Sequence, residues 1–298
     1  MTTDSISLQP LLTIAIAASY GVNFAALRDL LSEAGLLHQS DVQICIAHAG
    51  REPLVADNTV QVISCQVGTP VFRLYADIIE KTESQYVALL DASCPPCQGW
   101  LAAVREQIRG SADIIYGPVN SGWDRNDSRN VGYLIEYAQF RRPLDKALAE
   151  YPGNNIVFRR ELLATVPKDG AGFQKTFFLR HIENELGIKP RACDDMIVMY
   201  RKSYAWTYYL HRRLRHGRLY GSSHASSIGL RRFLYAAGTL VLPVLRYWRI
   251  LRTAWREPEL TSEVLRFSVR IVVSECAWSI GECLGYLAGA AGDEAFLD

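Results

Sequence analysis

A chain of 298 residues is long enough for one large domain or two ordinary ones, and its 49% hydrophobic and 21% charged residues exclude an intrinsically disordered protein. A net charge of only +1 gives no support to nucleic-acid binding, so we expect no nucleic-acid partner. The composition is slightly apolar for a soluble globular protein, which suggests contact with lipid.

The first 200 residues alternate strand-like and helix-like patterns, which is typical of a mostly parallel sheet covered by helices. The predicted strands are residues 11–19, 42–47, 60–65, 86–91, 113–116 and 155–158, and the predicted helices are residues 24–34, 71–82, 99–108 and 173–186. Gly35 and Gly187 are placed to end the first and the last of these helices. Residues 117–130 are rich in Gly, Asn, Asp and Ser, which predicts a loop. We therefore predict an α/β domain over residues 1–200 with a mostly parallel central sheet flanked by helices.

The character of the sequence changes after Tyr200, where basic and apolar segments alternate. Residues 211–218 contain four arginines and two histidines, and the apolar stretch 233–248 lies among further arginines. That stretch is shorter than the roughly 20 residues a membrane-spanning helix needs. Basic residues beside an apolar, aromatic-ended segment are instead typical of a helix lying in the plane of a membrane surface.

A second apolar segment, residues 267–291, contains Glu275 and Glu282, which would be costly at the centre of a bilayer. We therefore predict that residues 201–298 form a basic, apolar helical region that is membrane-associated in a peripheral or monotopic manner. The alternative is a helical subdomain of a soluble protein that buries both apolar segments.

The seven cysteines are an odd number, and the first ten residues lack the basic and apolar regions of a signal peptide. A reducing cytosol is the simpler expectation. Cys94 and Cys97 form a Cys-Pro-Pro-Cys sequence that a redox protein could use, although such motifs open a helix near the start of their fold. The alternative is a pair of buried or half-buried thiols in a loop.

Several segments read together resemble the family 2 glycosyltransferases, which have the A-type nucleotide-sugar transferase fold. Residues 14–20 are a strand ending in small residues, and Asp91-Ala92-Ser93 with Gly99-Trp100-Leu101 is similar to the family's Asp-x-Asp-type block. Gly153-Asn154-Asn155 followed by Arg159-Arg160 is similar to the family's Gly-Asn strand on the acceptor side. Residues 212–221 and 278–285 are similar to a basic, aromatic tail. The resemblance covers most of the chain and depends on the order and spacing of these segments. It implies a sugar-nucleotide donor at the carboxyl ends of the strands.

The resemblance implies a donor site formed by six residues: Ala18, Tyr20, His48, Arg73, Asp91 and Ser93. Asp91 is also placed in the catalytic set, and it could bind the ribose or one face of Mg²⁺ or Mn²⁺. Ser93 stands where the family has a second acid and is a poor ligand for these ions, so metal dependence stays open. His48 could donate to a base carbonyl or could be a loop residue.

An inverting transferase needs a carboxylate to accept the proton of the attacking hydroxyl, and the position that the family uses is Gln174 here. Glutamine cannot act as a base, so Glu183 and Glu185 are the predicted catalytic residues, with Asp169 and the Asp194-Asp195 pair as alternatives. The predicted acceptor or phosphate residues are Asn154, Asn155, Arg159, Lys175, Arg212 and Arg215. Arg159 and Arg160 could equally pair with acids at a strand end, and Trp100 is expected in the core.

These observations favour transfer of a sugar to a lipid-linked or cell-surface polysaccharide acceptor at the cytoplasmic face of the cell membrane. The missing second acid and the missing base leave an alternative, a catalytically silent, transferase-like binding or scaffold protein at the membrane. A soluble redox or nucleotide-binding module is a third possibility, but it leaves the C-terminal third without a role.

Overall fold

The computed structural model describes residues 9–18, 23–50, 54, 57–67, 69–145, 150–163, 173 and 175–289. The chain divides into two compact units. Unit 1 is built from the described residues of Met1–Asn120 and Arg142–Met199, and unit 2 from those of Ser121–Arg141 and Tyr200–Leu297.

Unit 1 is built on a seven-stranded sheet. Its strands are β1 (Leu12–Ala18), β2 (Val42–His48), β3 (Val60–Ser64), β4 (Tyr86–Asp91), β5 (Ile114–Tyr116), β7 (Asn155–Arg159) and β8 (Arg191–Ala192). A separate two-stranded sheet pairs β6 (Val119–Ser121) with β9 (Val198–Tyr200). The order across the large sheet is β3-β2-β1-β4-β7-β5-β8. Six of its seven strands run in one direction and β7 alone runs against them, which confirms the predicted mostly parallel sheet.

Helices flank this sheet because its central strands are apolar on both faces. All seven residues of β1 are buried, without the alternation that a half-exposed strand would show. The helices of unit 1 are α1 (Phe24–Glu33), α2 (Val71–Lys81), α3 (Trp100–Arg109), α5 (Arg160–Leu163) and α6 (Lys175–Leu186). The Asn23 side chain caps α1 by accepting from the Ala26 amide at 3.1 Å. Gly35 and Gly187 adopt positive φ just after α1 and α6, so both predicted helix ends are confirmed.

Unit 2 is helical in its described residues. It contains α4 (Asn130–Glu136), α7 (Trp206–Ile228), α8 (Arg232–Gly238), α9 (Leu242–Ala254), α10 (Pro258–Arg266) and α11 (Ser268–Ala288). The apolar stretch 233–248 is therefore two helices rather than the single one predicted. Proline lacks an amide donor and is tolerated only in the first turn of a helix, which is where Pro243 lies in α9.

The long helices α7 and α11 pack closely through glycine. A Cβ atom on Gly281 of α11 would lie 1.9 Å from the Leu214 carbonyl oxygen, and one on Gly217 of α7 would lie 2.1 Å from the Trp278 carbonyl oxygen. Gly221 and Gly285 repeat this arrangement one turn further along each helix. Such small-residue contacts let two helix backbones approach directly.

One helix in the described part of the chain, α11, is long and apolar enough to cross a membrane. That statement rests on length and composition alone, since a core helix of a soluble protein can pass the same test.

Candidate functional site

The strand order of unit 1 reverses at β1. From β1 the chain adds β2 and β3 on one side and then returns to place β4 on the other side. In open α/β sheets, ligands bind outside the carboxyl ends of the strands at such a reversal. The last residues of these strands lie together, because Ala18 is paired with His48 and Ala17 with Asp91. Ala18, His48 and Asp91, three of the predicted donor-binding residues, thus share one edge of the sheet, which we call the carboxyl edge.

Asp91 is half-buried at this edge and is held by Ser93. Its Oδ1 atom accepts from the Ser93 amide at 2.9 Å and from the Ser93 hydroxyl at 2.5 Å. Asp91 and Ser93 therefore act as one tight turn. The turn fixes the direction of the carboxylate at the end of β4, while Oδ1 is already engaged.

This arrangement suits a divalent cation poorly. Mg²⁺ and Mn²⁺ favour several oxygen ligands, and Asp91 supplies one carboxylate with one oxygen engaged by Ser93. Among the described residues, no three His, Cys, Asp or Glu side chains come together in a group that could hold a metal ion. The described residues at this edge therefore offer few ligands of their own for a metal ion.

A cationic side chain lies near the same edge. Lys175, the first residue of α6, donates to the Gly153 carbonyl oxygen, and its ammonium lies 5.7 Å from the centre of the Tyr75 ring. The Tyr75 hydroxyl in turn donates to the Leu90 carbonyl oxygen at 2.8 Å, one residue before Asp91. The structure therefore brings Lys175 to the end of β4, where it can bind phosphate as a point charge.

Asn154 lies beside β7 at the same edge and is buried. Its amide nitrogen lies 2.9 Å from the Cys94 sulfur, and its Oδ1 atom has no hydrogen-bond partner among the described residues. A buried amide oxygen without a partner is unusual and costs free energy. Asn154, which was predicted to bind the sugar acceptor or a phosphate, therefore has a side-chain oxygen that can still accept a hydrogen bond.

Asn155, in contrast, is fully buried and its amide group joins three other segments. It accepts from the Trp100 indole at 2.9 Å and donates to the carbonyl oxygens of Pro118 at 2.9 Å and Met196 at 2.6 Å. These contacts give Asn155 a structural role, and the buried Trp100 is in the core as expected.

Glu183 reaches the edge through Tyr151. The Tyr151 hydroxyl donates to Glu183 Oε1 at 2.5 Å, and the Tyr151 ring packs at 4.9 Å against Tyr116, the last residue of β5. Burial and the neighbouring Glu183 carboxylate raise the pKa of Tyr151, so it stays a neutral donor. Glu185 lies two residues further along α6 and is exposed.

The alternative acids Asp194 and Asp195 follow β8, which ends at the same edge. Asp194 accepts from the Leu144 amide at 2.8 Å, and Asp195 pairs with Arg142 at 2.9 Å. Among the described residues, two segments therefore offer the predicted carboxylates at this edge, namely α6 and the segment after β8.

Arg159 lies away from this edge because β7 runs antiparallel to β4. The register pairs Leu90 with Asn155 and Tyr86 with Arg159, which separates Arg159 from Asn155 by four residues, or about 13 Å. Its guanidinium pairs with Asp113 at 3.0 Å. The phosphate-binding prediction for Arg159 therefore does not fit the geometry, whereas pairing with an acid at a strand end does.

The other predicted residues of unit 1 are dispersed. Arg73 lies in the first turn of α2 with its Nε atom 3.3 Å from Asp77. His48 is buried at the end of β2. Tyr20, Asp169 and Gln174 lie outside the described residues.

Arg212 and Arg215 belong to α7 in unit 2. The Arg212 guanidinium lies 5.0 Å from the centre of the Tyr204 ring, within a group of tyrosines that also includes Tyr200 and Tyr137. Arg215 is half-buried.

Sequence reasoning did not find Tyr75 or Tyr151. Both residues act through contacts with residues far apart in sequence. No local sequence pattern around either tyrosine indicates those contacts. Only the position of Tyr151 just before the Gly-Asn motif could have indicated that it lies at the carboxyl edge.

No protein-family model matches this sequence, and neither does any curated protein. The chain is similar to a solved mannosyltransferase from Pyrobaculum calidifontis in complex with GDP-Man and Mn²⁺, with 14% identity and a TM-score of 0.51 over 94% of this chain and 88% of that chain. A mycobacterial protein has 13% identity and a TM-score of 0.46, over 65% of this chain and 68% of its own. Glucosyl-3-phosphoglycerate synthase from Mycobacterium tuberculosis has 13% identity and a TM-score of 0.45, over 65% of this chain and 73% of its own. The likeness to the mannosyltransferase shows that this chain has a nucleotide-sugar glycosyltransferase fold.

Proposed function

We propose that this chain is a glycosyltransferase that binds a nucleotide-sugar donor at the carboxyl edge of its sheet. The observation that carries the proposal is Asp91, whose carboxylate is held by Ser93 at the end of β4, directly beside the reversal of strand order at β1. Ligands of open α/β sheets bind at that place.

The acceptor hydroxyl would attack the anomeric carbon of the donor, the bond to the nucleoside diphosphate would break, and the proton of the hydroxyl would pass to a carboxylate. Direct displacement of this kind inverts the anomeric configuration. Lys175 can stabilise the charge that develops on the leaving diphosphate. Glu183 is the first choice for the proton acceptor, because its hydrogen bond to Tyr151 holds it in position.

The test is donor-dependent thermal stability, measured over a panel of nucleotide sugars with and without Mn²⁺. We expect one donor to raise the melting temperature of the wild-type protein. The same donor should leave the melting temperature of Asp91→Asn unchanged. Asp113→Asn is the matched control, since Asp113 pairs with Arg159 away from the site. Equal shifts in both variants, or none in the wild type, would refute donor binding at Asp91.

Two observations favour a second function, a catalytically silent protein that binds donor without turnover. Ser93 occupies the place of a second acid, and no group of metal ligands exists among the described residues. Product analysis separates the two functions: donor binding without sugar transfer to lipid-linked or polysaccharide acceptors would establish the silent protein.

We further propose that unit 2 attaches the protein to the cytoplasmic surface of the cell membrane through α8 and α9. Leu234 and Val244 are 76% and 71% exposed, and Trp248 is also exposed on α9. Arg231 and Arg252 are exposed and form no ion pair within the described residues. Apolar side chains beside unpaired arginines suit an anionic lipid surface.

Flotation with vesicles tests this attachment. We expect binding to phosphatidylglycerol vesicles that weakens several-fold when Leu234 and Val244 are both changed to Glu. Val67→Glu is the control, because Val67 is an exposed apolar residue of unit 1. A protein that remains unbound to anionic vesicles would contradict the proposal.

A further inference from the structure

Helix α11 has its polarity reversed relative to a helix of a water-soluble protein. Its buried side carries Ser274, Glu275, Ser279 and Glu282, while Val269 on its other side is 75% exposed. Ile280, Leu284 and Leu287 are exposed as well. A soluble helix places its apolar stripe toward the core, so the outer face of α11 suits an apolar surrounding.

The buried acids of α11 are neutralised within unit 2. Arg213 lies 2.6 Å from Glu275, and Arg246 of α9 lies 3.3 Å from Glu282. The Trp278 ring lies 4.5 Å from one guanidinium and 4.7 Å from the other. Two arginines and two glutamates leave this cluster without net charge, so it can lie beneath an apolar surface.

A groove opens beside this cluster between α8, α9 and α11. It has a volume of about 310 Å³, and its lining residues are Leu234, Tyr235, Gly238, Val241, Leu242, Leu245 and Glu282. At about 30 Å³ for each small group, it has room for about ten methylene-sized groups. The groove thus has enough volume for part of a hydrocarbon chain.

The charged residue in the lining, Glu282, has its carboxylate oxygens engaged. Oε2 accepts from the Trp278 indole at 2.9 Å, and Oε1 accepts from the Tyr286 hydroxyl at 3.2 Å. With Arg246 also beside Oε2, the groove presents apolar surface rather than an open charge. A polar ligand would find little to bind there, whereas a hydrocarbon chain would bury the exposed leucines and valines.

We propose that this groove holds one acyl chain of an anionic phospholipid drawn from the bilayer. The phosphate of that lipid would be met by the exposed arginines near α8 and α9, of which Arg231, Arg252 and Arg256 form no ion pair within the described residues. The proposal rests on the membrane attachment proposed above. Bulk phospholipid is the occupant because it is the lipid present at the highest local concentration for a surface that lies on a bilayer.

The experiment uses phosphatidylglycerol with a photoreactive diazirine in one acyl chain, incorporated in phosphatidylcholine vesicles. After illumination, mass spectrometry maps the cross-linked peptides. We expect cross-links in α8 and α9 at the groove, reduced at least several-fold by Gly238→Phe. Gly238 lines the groove, and a Cβ there meets nothing within 4 Å, so this position has open space where a side chain begins.

Val269→Phe is the matched control, because it adds the same kind of apolar bulk on the exposed face of α11 outside the groove lining. We expect its cross-linking to equal that of the wild type. Equal labelling of the groove in wild type and Gly238→Phe, or no labelling of these peptides, would overturn the proposal. Preferential labelling by a photoreactive polyprenyl phosphate over the phospholipid would overturn the stated occupant.

Flotation of the same samples separates this proposal from membrane attachment. A wild type that floats without groove labelling refutes the acyl-chain site alone. A wild type that does not float refutes the attachment, and the photoreactive lipid is then offered in detergent micelles. Groove labelling in micelles that is reduced by Gly238→Phe would still support the acyl-chain site. Absence of that labelling would refute the site.

Discussion

At the scale of single residues, the Asp91-Ser93 turn decides what the carboxyl edge can bind. The Ser93 hydroxyl donates to the carboxylate, so the position that could carry a second metal ligand instead fixes the first acid in place. In the proposed reaction, a protein cation would offset the charge of the leaving diphosphate, and Lys175 donates to the Gly153 carbonyl oxygen near the end of β4.

Ser93→Asp should therefore introduce a response to metal. A second carboxylate would supply the oxygen ligands that one acid lacks, so Mn²⁺ should raise the melting temperature of the variant in the presence of donor. Ser93→Asn, which has similar size without the charge, is the control. If Mn²⁺ acts equally on Ser93→Asn, on Ser93→Asp and on the wild type, the second acid is not what limits metal binding.

Asn155 should be among the side chains on which the stability of unit 1 depends most. Asn155→Leu would leave the Trp100 indole and the carbonyl oxygens of Pro118 and Met196 without their partner, which should lower the free energy of unfolding by roughly 3 kcal/mol or more. Chemical denaturation measures this change. Asn58→Leu, at an exposed position, should change it little, and a small effect at Asn155 would show that water replaces the lost contacts.

His216 should make unit 2 less stable in acid. Burial lowers its pKa well below the usual value, and Arg212, Arg213, Lys202 and Arg215 lower it further. The unfolded chain therefore takes up a proton as pH falls through about 6.5 while the folded chain does not, so stability is lost by at most about 1.4 kcal/mol per pH unit. Melting temperatures between pH 7 and pH 5 should fall less in His216→Gln; equal slopes would exclude His216 as the source.

At the scale of elements, the paired glycines of α7 and α11 set how closely these helices can approach. The close approach lets Glu275 of α11 lie within reach of Arg213 of α7. A single added methyl group should therefore disturb the packing at Gly281. The exposed Gly238 at the end of α8 has open space for the same group.

Gly281→Ala should destabilise unit 2 by roughly 1–3 kcal/mol, because its Cβ would lie 1.9 Å from a backbone carbonyl that cannot easily move. Gly238→Ala is the matched control, and with open space around its Cβ it should be neutral or stabilising by up to about 1 kcal/mol. Thermal melting of the detergent-purified protein compares the two. Similar melting temperatures for both variants would mean that the helices can separate without cost.

The elements also show what the sequence can and cannot predict. The central strands were predictable because β1 and β4 are short apolar runs, and β4 ends in a single acid, Asp91, which lies in the candidate site. The direction of β7 was not, since a short apolar run flanked by a polar residue at each end does not show which way the strand runs. The reversal places Asn155, and not Arg159, at the carboxyl edge. The contact of Tyr151 with Glu183 joins residues 32 positions apart, which no local pattern records.

At the scale of the whole molecule, two compact units predict two separable responses. A nucleotide-sugar donor should raise only the melting transition of unit 1, and phosphatidylglycerol vesicles only that of unit 2, because each ligand stabilises the unit that binds it. Calorimetry with each ligand alone and with both tests this. A single transition that moves equally with either ligand would contradict independent units.

The order in which the units appear along the chain has a consequence for synthesis. Residues 121–141 belong to unit 2, yet the rest of that unit begins only at Tyr200, after the chain has completed unit 1. At about 5–20 residues per second, a ribosome needs on the order of several seconds to make the intervening residues. During that interval α4 lacks partners that it has in the finished protein: the Tyr200 ring, which lies 6.0 Å from that of Tyr133, and Glu263, which accepts from Asn130 at 2.7 Å. A nascent chain that pauses before α7 therefore presents an unpartnered α4 to chaperones and to other chains.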